Sequence, residues 1–251
     1  MLKWPRRGNE IQDGIGLSGP HLPCAGIDLR FRTVISSNPQ SLLLVKRKYE
    51  IFNLPMEVEF KFDFDKFLAV LEYLASKGVP ELSKYKICKL MFLADKYHLV
   101  RYGRPIIGDR YCALPYGPVP SMSLDLMNAF IRTEQSPENP QILTMTERLA
   151  LDRAYLYPRF SAKVSPTFQF LSKSDLMALD HVIERYGQKN FDELKSLTHD
   201  MYAFRNTWER TPSGTMNYLD FFEEEPDAIE GAREEMIEND ALTKAFPDSG
   251  I

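Results

Sequence analysis

Apolar residues recur at helical spacing from residue 64 onward. Phe64, Phe67, Leu68, Leu71 and Leu74/Ala75 fall on one face of a helix over about Asp65–Lys77. Asp63 is placed to cap it, and Gly78-Val79-Pro80 to stop it. A second helix is expected after Ser83, running to Tyr102, with Ile87, Leu90, Met91, Ala94 and Tyr97/His98 as its buried face. Phe92, Leu93 and Leu99 widen that face, which predicts a central helix contacted from several sides. Gly103 suits the left-handed position just past a helix end.

The pattern changes after Gly103. Ile106–Leu114 is short and rich in β-branched and aromatic residues, and predicts a small strand or hairpin with Gly108-Asp109 as a turn. Pro115–Pro120 reads as loop, because Pro118 and Pro120 carry no amide proton and push their predecessors away from helix. Ser121 caps a third helix, Met122–Ile131, with Leu124, Met127 and Ala129/Phe130 apolar. Thr133–Met145, polar with two prolines, reads as loop, and Tyr155–Lys163 alternates weakly enough to predict a second strand. Ser172 and Asp175 form a loose capping box ahead of Leu176, Leu179, Val182/Ile183 and Tyr186, which Gly187 ends. Asn190 with Glu193 opens another helix carrying Leu194, Leu197, Thr198 and Met201, whose continuation meets Trp208. Asp227–Asn239 is a last acidic helix with a thin stripe of Ile229, Ala232 and Met236. The expected fold is mainly α (α+β): a single helical domain with a small β-element inserted after the second helix.

Residues 1–55 lack periodicity, interrupted by Pro5, Gly8, Gly14, Gly16, Gly19, Pro20, Pro23 and Gly26. They read as a flexible N-terminal extension, with Ser41–Val45 and Tyr49–Leu54 as its only ordered pieces, or as a segment ahead of a native start at Met56. The organisation expected is thus an extension over 1–55, a folded domain over 56–222, and an acidic C-terminal helix and tail over 223–251.

Charge and cysteine usage narrow the function classes. A net charge of −4 and a pI near 5.7 argue against a dedicated nucleic-acid binder. Residues 217–251 hold eleven acids against Arg233 and Lys244, which reads as a solvated helix and tail. Cys24, Cys88 and Cys112 contain no CxxC pair, fit neither a disulfide framework nor a zinc site, and suit a cytoplasmic location. No signal-peptide core and no run long enough to span a bilayer is present, so no membrane role is expected.

No catalytic constellation emerges. His21, His98, His181 and His199 form no HExxH, and Asp95 with His98 reads as a hydrogen-bonded pair rather than a metal site. GxSxG, P-loop and GxGxxG patterns are absent. The expectation is a non-enzyme without metal or cofactor. Lys84, Lys86, Lys89, Lys96, Arg101, Arg104 and Arg110 give the second helix and its exit a basic side, which leaves a DNA-binding regulator as the alternative reading. A protein-binding surface fits better. Its candidate residues are Tyr102, Arg104, Asp109, Arg110, Tyr111, Tyr116 and Pro118, on or beside a proline-fixed loop that loses little entropy on binding. Anchoring of Tyr111 and Tyr116 onto the core is the equally weighted alternative.

Lys89–Asp95, Arg101–Ile106, Gly108–Tyr111 and Tyr116–Ser121 together resemble the Panacea domain of the SocA-like antitoxin family, also described as phage-associated proteins. Leu171-Ser172, Tyr186-Gly187, Leu194, Leu197, Thr198-His199 and Trp208 are similar to the family's second half, giving a resemblance over about 65–222. Met201–Thr207 stands where the family has an acidic, proline-containing step. The resemblance implies a mostly helical domain that neutralises a cognate protein toxin, encoded nearby, by direct contact. One member is a proteolytic adaptor, so delivery to a protease is the further partner the resemblance raises. The DNA-binding alternative takes the form of a regulator of the protein's own toxin–antitoxin operon.

Overall fold

The structure is a computed structural model that describes residues 58–133, 138–166, 168–225 and 228–245. Expectations for residues 1–55, with Ser41–Val45, Tyr49–Leu54 and the start at Met56, lie outside the described residues. Eight helices and two small antiparallel hairpins are described: a mainly α fold with small β-elements.

Helix α1 (Phe64–Ser76) starts where Asp63 Oδ1 accepts from the Lys66 amide at 3.0 Å. Helix α2 (Lys84–Tyr102) is the central post. Every residue from Lys86 to Lys96 is buried, as are His98, Leu99 and Val100. A helix buried all round must have neighbours all round, and α2 has them in other helices, a hairpin and the last described helix. Gly103 ends it at φ 64°. Glycine is required there twice over, because a Cβ would also lie 2.9 Å from the Ala232 carbonyl oxygen.

The chain then forms a hairpin of β1 (Tyr111–Leu114) and β2 (Gly117–Pro120), with Tyr111 opposite Pro120 and Ala113 opposite Pro118. The expectation of loop over 115–120 and a turn at Gly108-Asp109 is corrected: Pro115-Tyr116 is the turn. The prolines are tolerated because they oppose residues whose backbone groups face the other way. Ala113 N–H donates to Gly214 O at 2.9 Å, its carbonyl accepts from Ser213, and the Tyr111 carbonyl accepts from Met216 at 2.8 Å. No ladder bond is therefore asked of the missing proline N–H groups.

Helix α3 (Ser121–Thr133) follows directly, and α4 (Pro140–Arg148) occupies part of what reads as loop. The start signal of α4 is in the sequence: Asn139 Oδ1 caps the Gln141 amide at 2.8 Å and Pro140 takes the first helical position. Strands β3 (Leu149–Asp152) and β4 (Arg159–Ala162) form the second hairpin. Tyr155 and Tyr157 lie in its connecting loop rather than in a strand. Helices α5 (Lys173–Tyr186) and α6 (Phe191–His199) both open with complete capping boxes, Ser172 with Asp175 and Asn190 with Glu193. Helix α7 (Tyr202–Arg210) is a separate element. A 3₁₀ turn (Tyr218–Phe222) sends Phe221 against Phe92, ring centroids 5.3 Å apart. Helix α8 (Ala232–Ala245) buries Ala232 and Met236 against the end of α2 at Gly103, while Ile229 stays half exposed.

Candidate partner-binding face

The hairpin is held on α2 by polar groups that the interior forces to pair. Asp95 is fully buried; its Oδ1 accepts from the amides of Ile106 and Ile107 at 2.9 and 3.2 Å, and its Oδ2 from the Tyr111 hydroxyl at 3.0 Å. Burial pushes its carboxyl up to about 7 even against those three donors. Asp109 accepts from the Met122 and Ser123 amides and from the Ser123 hydroxyl at 2.6–3.0 Å, so it caps α3 from across the loop. The Tyr218 hydroxyl donates to the Asp109 carbonyl at 2.5 Å.

Next, the strand β2 is fixed from below. The Lys89 ammonium, buried in α2, donates to Pro118 O at 2.9 Å, and burial brings its pKa down to about 8. Gly117 has φ 99°, and a Cβ there would lie 2.6 Å from Lys89 Nζ, 3.0 Å from Thr198 Oγ1 and 3.1 Å from His199 Cδ2. Only glycine fits such an approach. His199 stacks on Phe204 with centroids 4.3 Å apart, and Phe204 on Trp208. His199 Nε2 is buried without a hydrogen-bond partner among the described residues. The separated sequence motifs, Lys89, Tyr116–Pro118, Thr198-His199 and Trp208, thus form one continuous packing unit.

Residues 87–203 match the family model for the antitoxin SocA-like Panacea domain. That stretch is similar to a SocA-like Panacea domain. The match runs from the second turn of α2 to the start of α7 and is shorter than the 65–222 read from motifs. Helix α1, Trp208 and α8 lie outside it. Comparison with curated proteins and with solved structures gave no match.

Within the matched stretch, the seven candidate contact residues do not form one surface. Asp109 and Tyr111 are interior, and Pro118 is buried over Lys89. This corrects their assignment as contact residues: their polar groups and rings are committed to the core. Tyr102 and Arg104 are half-buried; Tyr102 leans on His98, and Arg104 Nη2 meets Asp175 Oδ1 at 3.0 Å. Thirteen residues of helix separate Tyr102 from Lys89, about 20 Å along the axis. Arg110 is exposed beside a groove of about 300 Å³ lined by Phe60, Phe62, Met122 and Met216. Tyr116, 54% exposed, stands at the hairpin tip.

Asp95 and His98 do not bond to each other, contrary to expectation. His98 Nδ1 faces the Arg104 carbonyl at 2.7 Å, which makes it the donor, and Nε2 faces Ser174 Oγ at 2.9 Å and Asp175 Oδ1 at 3.1 Å. Burial works against charge on Asp175, yet the His98 bond, the Ser172 amide and the Arg104 and Lys66 charges hold its carboxyl well below the usual range. Among the described residues no group of three or more His, Cys, Asp or Glu is placed to hold a metal ion. No described helix is long and apolar enough to cross a membrane.

Most of the basic side of α2 and its exit is also spent internally; Lys84, bonded to Asn128, and the exposed Arg110 are apart from it. Lys86 donates to Pro80 O at 2.7 Å, Lys89 to Pro118 O, Lys96 pairs with Glu225, Arg101 lies over Tyr97, and Arg104 pairs with Asp175. These groups present no row of free cations to a phosphate backbone.

The surface that does form was not apparent from the sequence. Tyr116 approaches Phe191 at 6.4 Å, Phe191 approaches Tyr85 at 5.8 Å, and Tyr85 meets Tyr157 edge-on at 4.9 Å. Beside them Leu156 is 88% exposed. A groove of about 260 Å³ runs between Tyr155, Leu156, Tyr157 and Phe191 on its apolar side and Lys86, Arg159 and Glu81 on its charged side. Its available signal was the run Tyr155-Leu156-Tyr157, three large side chains between Arg153 and Arg159 in a segment without helical spacing.

Proposed function

We propose that this protein is an antitoxin-type binding module that neutralises a protein toxin by direct contact through the face around Tyr116. The similarity to the Panacea domain supports the antitoxin class. The observation that carries the choice of surface is the seat of Tyr116. Lys89 and Gly117 fix the turn from the interior, and the ring is delivered to solvent beside Phe191, Tyr85 and Tyr157. Aromatics held this way bind with little loss of conformational freedom. In this reading the protein acts in the cytosol, performs no catalytic step, and sequesters its toxin rather than handing it to a protease.

The test is co-expression with the product of the neighbouring reading frame. Growth arrest by that product alone, relieved by this protein, is the expected result. A harmless neighbour, or toxicity that this protein leaves untouched, defeats the reading. Toxin levels followed by immunoblot separate the two routes: steady levels support sequestration, and levels that fall when this protein is present replace it with proteolytic delivery.

A further inference from the structure

Most described lysines with a charged partner sit in ordinary ion pairs: Lys66 with Asp175, Lys77 with Asp180, Lys96 with Glu225, Lys189 with Glu193 and Lys244 with Asp240. The aromatic face differs. Lys84 bonds the neutral Asn128 and lies 5.1 Å from the Tyr85 ring centre, and Lys195 lies 5.2 Å from that of Tyr116. Neither has a carboxylate partner among the described residues. Arg159 covers Tyr155 at 3.4 Å and meets Glu81 at 3.3 Å. Of the nearby acids, Glu81 lines the groove and is paired with Arg159, Glu193 turns back to the Asn190 amide at 2.8 Å and lies 3.8 Å from Lys189, and Asp192 is exposed. The buried Lys89 ammonium adds positive charge from beneath. A chain of net charge −4 thus sets, among its exposed aromatics, two lysines without a carboxylate partner among the described residues.

We propose that this face receives an acidic segment of the toxin, in which carboxylates flank an apolar side chain. This rests on the antitoxin reading above and adds the chemistry of the partner. The apolar side chain enters the groove beside Leu156 and Phe191, and the carboxylates meet Lys84 and Lys195. Both ammonium groups are already positioned over aromatic rings, so charge and apolar area are offered together. A single-stranded nucleic acid fits less well, because Lys84, Lys195 and Arg159 lie over the ring faces on which its bases would stack.

Fluorescence anisotropy with the full-length protein tests this. The probes are a labelled peptide of Glu-Leu-Glu-Trp repeats, its counterpart with lysine for glutamate, and oligouridine RNA. The acidic peptide is expected to bind, more weakly as salt rises, and the lysine peptide to fail. Lys84→Glu with Lys195→Glu should weaken acidic-peptide binding by about tenfold or more. Lys84→Glu is compatible with folding, since a glutamate suits the first turn of α2, Lys195 is half-buried on α6 with no carboxylate to lose, and the thermal midpoint checks both. Tyr157→Ala is the second variant, expected to weaken binding without touching charge. No binding of the acidic peptide, equal binding by the double variant, or preference for the lysine peptide or RNA overturns the proposal. The outcomes also separate from the antitoxin reading. Rescue of cells by wild type and double variant alike removes the acidic segment and keeps the antitoxin. Peptide binding as expected with no rescue does the reverse.

Discussion

Tyr111 and Tyr116 stand on the same hairpin, five residues apart, and do opposite things. Tyr111 is 1% exposed, packs edge-on against Phe92 at 5.3 Å and gives its hydroxyl to Asp95. Tyr116 is 54% exposed, with the Phe191 ring centre 6.4 Å from its own and the Lys195 ammonium 5.2 Å from it. The interior end of the hairpin holds the fold, and the tip is where the proposed reading puts recognition. A change at one end should register in stability, and a change at the other in binding. Each experiment below can break that division.

The largest effect is expected from Asp95→Ala. It leaves two amides and the Tyr111 hydroxyl unpaired in the core, costing about 3–5 kcal/mol in chemical denaturation. A loss below about 1 kcal/mol would mean that water reaches these groups and the interior end is less sealed than its burial indicates. Leu90→Ala, at a site 1% exposed, should cost about 2–5 kcal/mol and reduce toxin neutralisation only through stability. Gly117→Ala sits at the boundary. Its Cβ is driven toward Lys89 Nζ at a strained φ, so a loss of about 1–3 kcal/mol should accompany weaker neutralisation.

A pH series sharpens the interior side. The folded carboxyl of Asp95 titrates at about 7, above its ordinary 3.8. The folded chain therefore keeps a proton there that the unfolded chain has released. Stability from this group is fully present below about pH 4 and is lost as pH rises towards 7. Asp95→Asn cannot titrate, so wild-type stability relative to this variant should fall across that window in urea denaturation and level off above it. A difference that stays flat across the window would show that the carboxylate ionises freely in place.

The smallest stability effect is expected at the tip. Tyr116→Ala should move folding free energy by about 0.5 kcal/mol or less, yet weaken toxin binding by about 2 kcal/mol in titration calorimetry. Full neutralisation by the folded variant would move the interface off this face.

The helices were legible because their signals are local. Asp63, the Ser172 and Asn190 capping boxes and Gly103 work within a few residues of chain, and the structure uses each one as its sequence suggests. Asn139-Pro140 was equally local, but prolines nearby masked it as loop. Strand β2 was hidden for a different reason. Whether a proline is tolerated in a ladder depends on which way the opposite residue's backbone faces, and residues 213–216, a hundred positions away, decide that.

The sequence by itself determined a mainly helical chain with α2 as its centre, the caps and stops of most helices, and motif blocks that resemble a Panacea domain. Those follow from spacing, propensity and near-neighbour hydrogen bonds. Only the tertiary structure decided which of two tyrosines faces water, that the cations of α2 beyond Lys84 are spent on carbonyls, carboxylates and a tyrosine ring, and that Tyr85, Tyr116, Tyr157 and Phe191 share one face. Burial and surface neighbourhood depend on where distant segments pack, and in this chain α6 and the β3–β4 loop supply the neighbours that turn one exposed tyrosine into a surface.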